Sequence, residues 1–282
     1  MSKIAIVTDS TAYIPDEVRK QHHIHIIPLQ VIIQEKAYQE EVDLTTADFY
    51  RYMQSSEVLP TTSQPSVGAF MELFEQLSKN YEEIISIHLS SAISGTYQTA
   101  VTASQSVDDV VVHAVDSEIS CAPQGYYSIE AAKMAASGNS ASEILQRIEQ
   151  LKQETRAYFV VDNLRHLERG GRLSGAQALV GSLLQIKPIL HFEDKKIVPF
   201  EKVRTAKKAL QRVLSMFEED AKTKENIRAT VIHANRREKA EAIKNELQAK
   251  YPHIDLDVSY FGPVIGTHLG EGSLGLSWCV LD

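Results

Sequence analysis

Cysteine is scarce. Only Cys121 and Cys279 occur in 282 residues, which leaves no disulfide framework and no CxxC metal site. No apolar run approaches the roughly 20 residues of a membrane-spanning helix. The opening Met1-Ser2-Lys3-Ile4-Ala5-Ile6-Val7 is too short and too polar for a secretory signal, so a cytoplasmic protein is expected. The sequence has no GxSxG elbow, no Walker loop and no HExxH, the marks of an α/β-hydrolase, a P-loop enzyme and a zinc protease. Neither a metal nor a cofactor is expected. Positive charge is also short: 29 Lys and Arg face 37 Asp and Glu, a formal net of −8. That balance argues against nucleic acid as a partner, because binding it depends on neutralising phosphates.

What is present fits a soluble protein with room for two modest domains, at 43% hydrophobic and 23% charged residues. The charge is uneven. Residues 1–160 hold 10 Lys and Arg against 21 Asp and Glu, whereas residues 161–282 hold 19 against 16. The back half is therefore the better surface for an acidic partner or an anionic ligand.

Periodicity predicts strands at Ile4–Thr8, Ile24–Ile33 (broken at Pro28), Ile84–Leu89 and Val110–Val115. Helices are predicted from about Pro15, over Thr46–Gln54, Val67–Lys79, from Thr96, and over Pro123–Ala136 and Ala141–Lys152. Strands alternating with helices point to a parallel α/β sheet of Rossmann-like type. The texture changes near Tyr158. A basic, turn-forming Asn163–Ser174 precedes a helix expected at about Ala176–Leu184, strands at Pro188–Phe192 and Ile197–Phe200, and a second α/β unit to the end of the chain. The expected domains are thus 1–157 and 158–282.

Leu89-Ser-Ser-Ala-Ile-Ser-Gly-Thr-Tyr97 places four hydroxyls and a glycine where a strand hands over to a helix N-terminus. The unpaired N–H groups and positive dipole end there suit an anion, although capping alone explains many such serines. A second hydroxyl cluster, Thr61-Thr62-Ser63, lies between Pro60 and Pro65 ahead of the Val67 helix. Hydroxyls donate to a carboxylate or phosphate without adding a fixed charge.

Five of the 13 glycines fall within Gly262–Gly275, a predicted loop carrying His268 beside Thr267. Gly270–Gly275 fits GxGxxG, but only seven residues follow it, too few for the helix and strand of a dinucleotide site. Arg204 precedes Thr205, a plausible helix cap, and its guanidinium suits an anion. Arg165, His166, Arg169 and Arg172 form a further basic patch, readable as a partner or phosphate surface or as a solvated turn. Ser94 and His268 with an acid such as Asp9 would imitate a hydrolase triad.

Val7-Thr-Asp-Ser-Thr11, Pro60-Thr-Thr-Ser-Gln-Pro65, Ser91-Ala-Ile-Ser-Gly-Thr96, Leu167-Glu-Arg-Gly-Gly-Arg-Leu-Ser174 and Gly266-Thr-His-Leu-Gly270 stand in the order of the DegV family, across nearly the whole chain. The chain resembles that family. The resemblance implies two α/β domains with a long-chain fatty acid between them in a buried tunnel. It implies a lipid-carrying, non-enzymatic subunit that presents the carboxylate to a separate ATP-dependent fatty acid kinase for acyl-phosphate formation. It assigns Thr62 and Ser94 to the carboxylate, with Ser63, His268 and Arg204 nearby, and Arg169 and Arg172 to kinase docking. Loading such a tunnel implies that a flanking helix moves on contact with the partner or a membrane surface. Two alternatives drawn from the residues themselves stay open: a serine hydrolase or acyltransferase using Ser94 and His268, and a phosphate- or phospholipid-binding module.

Overall fold

A computed structural model describes residues 3–56, 58–174 and 187–281. The helix expected at Ala176–Leu184 lies outside the described residues. By its internal contacts the chain divides into two units, 1–44 with 62–153, and 45–61 with 154–282. The division in the second half falls at Gln153/Glu154, close to the expected 157. The segment Thr45–Thr61 groups with the later residues, which no feature of the sequence signals.

The first unit is built on a parallel sheet. Strands β1 (Ile4–Asp9), β2 (Ile24–Ile27), β6 (Glu83–His88) and β7 (Val111–Asp116) lie in the order β2-β1-β6-β7, all parallel. The buried residues of β1 and β6 are nearly continuous, as expected for strands covered on both faces. Helices α1 (Asp16–His22), α3 (Val67–Ser78), α4 (Thr96–Ser104), α5 (Ala122–Ala136) and α6 (Ala141–Glu154) supply the crossovers and cover. Phe70, Phe74, Leu77, Ile84, Ala100 and Ala103 form part of its core.

A small second sheet, β4-β3-β5, joins β3 (Gln30–Ile33), β4 (Lys36–Gln39) and β5 (Thr61–Ser63). Neither β4 nor β5 is predicted from the sequence. The β3–β4 hairpin turns through Gln34 and Glu35 at φ 48° and 65°. Such a turn normally announces itself by Asn-Gly or Asp-Gly, and here that signal is missing. The Pro60–Ser66 segment, expected to be all loop, contains β5.

The second unit carries a six-stranded mixed sheet, β10-β9-β8-β13-β11-β12. Its strands are β8 (Thr155–Val160), β9 (Ile189–Glu193), β10 (Lys196–Glu201), β11 (Ile227–His233), β12 (Asp255–Tyr260) and β13 (Leu274–Val280). Only β11 and β12 pair in parallel; the other neighbours are antiparallel. Helices α8 (Ala206–Ala221) and α9 (Arg237–Lys250) pack on it, enclosing Val213, Phe217, Leu247 and Trp278. Thr205 caps α8 as expected, its hydroxyl accepting from the Lys208 N–H at 3.3 Å. Helix α2 (Thr46–Ser55) also belongs to this unit, with Thr45 capping it through the Asp48 N–H at 3.2 Å.

Two short helices replace expected loops. The Asn163–Ser174 segment contains α7 (Arg165–Arg169), and the glycine-rich Phe261–Gly275 segment contains α10 (Pro263–Leu269). The signals for α10 were present: Pro263 sits at its first turn and Gly270 follows its end. The density of glycines obscured them. Among the described residues no helix is long and apolar enough to cross a membrane.

Candidate functional site

In an open parallel sheet the crevice for a ligand lies beyond the carboxyl ends of two neighbouring strands whose connections diverge. In the first unit those strands are β1, which leads to β2 on one side, and β6, which leads to β7 on the other. Asp9 ends β1, His88 ends β6, and the segment from Leu89 to Gly95 runs from this edge into α4. The first hydroxyl-rich loop therefore occupies the ligand end of the sheet.

Two carboxylates anchor that loop at its start. Asp9 Oδ2 accepts the Leu89 N–H at 3.0 Å. Asp116, at the end of β7, accepts the Ser91 N–H at 3.1 Å and the Ser91 hydroxyl at 2.5 Å. Ser94 is half-buried, and its Oγ lies 2.9 Å from Thr96 Oγ1 and 3.4 Å from the Thr96 nitrogen. The cap position of α4 is Gly95, which brings no side chain to the exposed N–H groups. Capping by the cluster is thus weaker than the sequence suggests, and the dipole end is less occupied.

The second cluster is tied directly to the first. Gln64 donates from Nε2 to Thr99 Oγ1 at 2.8 Å, and its amide packs against Gly95, where a Cβ would overlap it. Thr62 and Ser63 immediately precede this clasp in β5 and are half-buried; the Ser63 hydroxyl donates to the Gln64 carbonyl at 3.2 Å. The residues Thr61–Ser63 do not cap the next helix, as had been expected. Ser66 does, accepting the Ala69 N–H at 3.1 Å.

The triad imitation does not form as expected. Asp9 is fully buried and pairs with His88, whose Nδ1 lies 3.1 Å from Asp9 Oδ2. His88 Nε2 in turn lies 2.6 Å from Ser86 Oγ. Ser86 and His88 stand two residues apart on β6, so the strand's period of two places both on one face of the sheet. This Ser–His–Asp chain has no exposed member, and a nucleophile sealed from solvent attacks nothing. Burial alone would raise the Asp9 pKa, but hydrogen bonds from His88, Thr11 and the Leu89 N–H outweigh it and hold the carboxyl below its ordinary range. Cys121 is likewise no nucleophile: burial, with a smaller contribution from Glu40 and Asp9 against Ser120, pushes its thiol up to about 12.

The other expected site residues lie in the second unit. His268 is in the last turn of α10 and is largely buried, contrary to its expected place in an exposed loop. Its ring rests on Gly170, where a Cβ would overlap Nδ1, while the His166 ring covers Gly270 at φ +74°, where a Cβ would come within 2.6 Å. Each histidine thus uses the glycine of the other segment to bring α7 and α10 into close contact. Burial, then Arg172, then His166 drive the His268 pKa down to about 4, so the ring is neutral near pH 7. Arg172 donates from one guanidinium nitrogen to the Gly170 carbonyl. Arg169 and Arg204 are exposed, Arg204 in the bend just before α8.

Gln64, His88 and Asp116 had not been singled out from the sequence. The Ser86–His88 pair was legible as two polar residues on one strand face. The Gln64 contact was not, because its partner lies 35 residues away. Among the described residues no group of His, Cys, Asp and Glu is placed to hold a metal ion.

The family model described as "Uncharacterised protein, DegV family" matches residues 3–281. Protein DegV of Bacillus subtilis (strain 168) is 56% identical over 277 residues, covering 98% of this chain and 99% of its own length. The crystal structure of DegV, a fatty acid binding protein from Bacillus subtilis, superposes with a TM-score of 0.95 at 54% identity, covering 99% of this chain and all of its own. A fatty acid binding DegV family protein from Streptococcus agalactiae gives a TM-score of 0.91 at 34% identity, with both chains fully covered. The order of motifs, the two α/β units and these likenesses agree: this chain belongs to the DegV family.

Proposed function

We propose that this protein binds a long-chain fatty acid and presents its carboxylate to a separate ATP-dependent kinase subunit, which forms the acyl phosphate. The observation that carries the reading is the clasp of Gln64 on Gly95, which fixes two hydroxyl-bearing segments together beside a helix N-terminus whose cap residue, Gly95, brings no side chain. Thr62 and Ser94 donate to the carboxylate, and Ser63 lies beside them. The likeness of motifs adds His268 and Arg204 as head-group ligands, and Arg169 and Arg172 as kinase-docking residues. The solved relatives described as fatty acid binding support the ligand class. A helix flanking the acyl chain moves to load it on contact with the kinase or a membrane surface.

Burying about 14 methylenes at roughly 0.8 kcal/mol each yields on the order of 11 kcal/mol before entropy costs. The tail therefore supplies most of the affinity, and the hydroxyls set where the head group sits. A hydroxyl bonded to a charged group contributes about 1.5–3 kcal/mol. Thr62→Ala or Ser94→Ala is expected to weaken palmitate binding by roughly 10- to 100-fold. Kinase-coupled phosphorylation falls further, because the misplaced carboxylate no longer meets the phosphoryl donor. Equal losses in the two assays contradict that division of labour.

Denaturing mass spectrometry of protein purified from bacteria tests the reading itself. The expected result is a released, unmodified fatty acid. An acyl adduct on Ser94 would instead establish the hydrolase or acyltransferase reading. The geometry disfavours that alternative: Ser94 Oγ lies 2.9 Å from the Thr96 hydroxyl, and the histidine paired with Asp9 lies against Ser86.

A further inference from the structure

Gln64 has features that core packing does not require. It is exposed, yet its amide donates to the buried Thr99 hydroxyl at 2.8 Å, and that hydroxyl donates onward to the Gly95 carbonyl at 3.1 Å. The same amide sits so close to the Gly95 Cα that a Cβ there would displace it. One side chain thus meets the first turn of α4 at two points, one residue beyond Ser94. Just past the end of β5, it stands one residue after Ser63 and two after Thr62. Shifting Gln64 along α4 by even one residue would break both contacts. The amide is planar and donates in a fixed direction, so it sets a distance more tightly than apolar packing does.

We propose that Gln64 is a positioning residue that fixes the spacing between Thr62 and Ser94, and so makes the pair selective for a carboxylate head. It acts through the two hydroxyls and does not itself bind the ligand. A two-point clamp recognises a carboxylate only while its donors keep one separation. When that separation drifts, one donor is lost and the site no longer distinguishes an acid from a neutral head group. The inference rests on the fatty acid reading above and adds to it the origin of head-group selectivity.

The test uses the full chain and two probes of equal chain length, palmitate and hexadecanol, with affinities measured for wild type, Gln64→Ala, Ser94→Ala, the double variant and Thr99→Val. Gln64→Ala should keep the wild-type melting temperature, since the side chain is exposed. It should weaken palmitate binding by about fivefold, the scale of one net hydrogen bond, and hexadecanol binding by less than about twofold. Thr99→Val, which removes the acceptor of the clasp and leaves Thr62 and Ser94 intact, should follow it. In the Ser94→Ala background the Gln64→Ala loss should nearly vanish, because the donor being aligned is already gone. Additive losses, equal losses for acid and alcohol, or no loss at all overturn the proposal. A wild type that prefers neither probe overturns the hydroxyl clamp, and one that binds neither overturns the fatty acid reading itself; both are visible before any variant is made.

Discussion

Asp9→Ala is expected to lower the unfolding free energy of the first unit by about 3–5 kcal/mol, the cost of deleting a buried carboxylate and leaving its hydrogen-bond donors unpaired. The side chain is fully buried at the end of β1. Its Oδ1 accepts the Thr11 N–H at 3.1 Å and the Thr11 hydroxyl at 2.6 Å; its Oδ2 accepts from His88 and from the Leu89 N–H at 3.0 Å. A carboxylate only accepts, so His88 Nδ1 carries the hydrogen in that bond, and Nε2 lies 2.6 Å from Ser86 Oγ. Alanine strands these donors without water. Asp9→Asn should cost less, because one oxygen remains to accept while the new amide faces donors. The Asp9 pKa is depressed on folding, so its contribution is fully present above the ordinary carboxylate pKa and is lost as pH falls through the lower folded value. Urea unfolding at pH 7.5, followed by circular dichroism, measures the effect. A loss under about 1 kcal/mol, the worth of one ordinary hydrogen bond, would show that the network is not what holds β1 to β6.

The second large effect concerns acid and the α7–α10 contact. His268 takes up its proton near pH 4 when folded and near 6.5 when unfolded. Between these values the unfolded chain binds more protons, so stability declines as pH falls from about 6.5 and the decline levels off below about 4. A gap of about 2.5 pH units corresponds to ~3 kcal/mol when fully developed. Burial is the main cause, and the Arg172 guanidinium and His166 add repulsion to the charged form. His166 is shifted the same way by burial and Arg169, which steepens the loss. His268→Gln fills similar space and cannot titrate. Unfolding of the second unit can be followed at Trp278, the chain's single tryptophan, which is buried there and donates to Asp220 Oδ2 at 2.7 Å. The wild type should lose about 2 kcal/mol more than His268→Gln between pH 7.5 and 5. Equal acid slopes in the two proteins count against the buried neutral histidine.

Most of the fold was written locally. Apolar runs such as Ile84–Leu89, caps such as Thr45 and Thr205, and breakers such as Pro28 each act within a few residues, so the alternation of strands and helices could be read directly. Two hairpins show where this stops. The turn at Asp194-Lys195 was legible from its polar run between strands, whereas Gln34-Glu35 adopts the same left-handed conformations without a turn-forming residue. There the pairing of the strands imposes the turn.

The hydroxyl clusters were visible for the same local reason, as Ser and Thr gathered where a helix begins. The sequence by itself determined the two α/β units and singled out the candidate anion-holding residues Thr62 and Ser94. Only the tertiary structure decided which groups those residues meet. Asp9 met His88 across 79 residues rather than His268, Gln64 met Gly95 and Thr99, and His268 became a buried neutral ring on Gly170. Local propensity depends on neighbours in the chain. Hydrogen-bond partners, burial and pKa depend on neighbours in space, which no spacing in the sequence specifies.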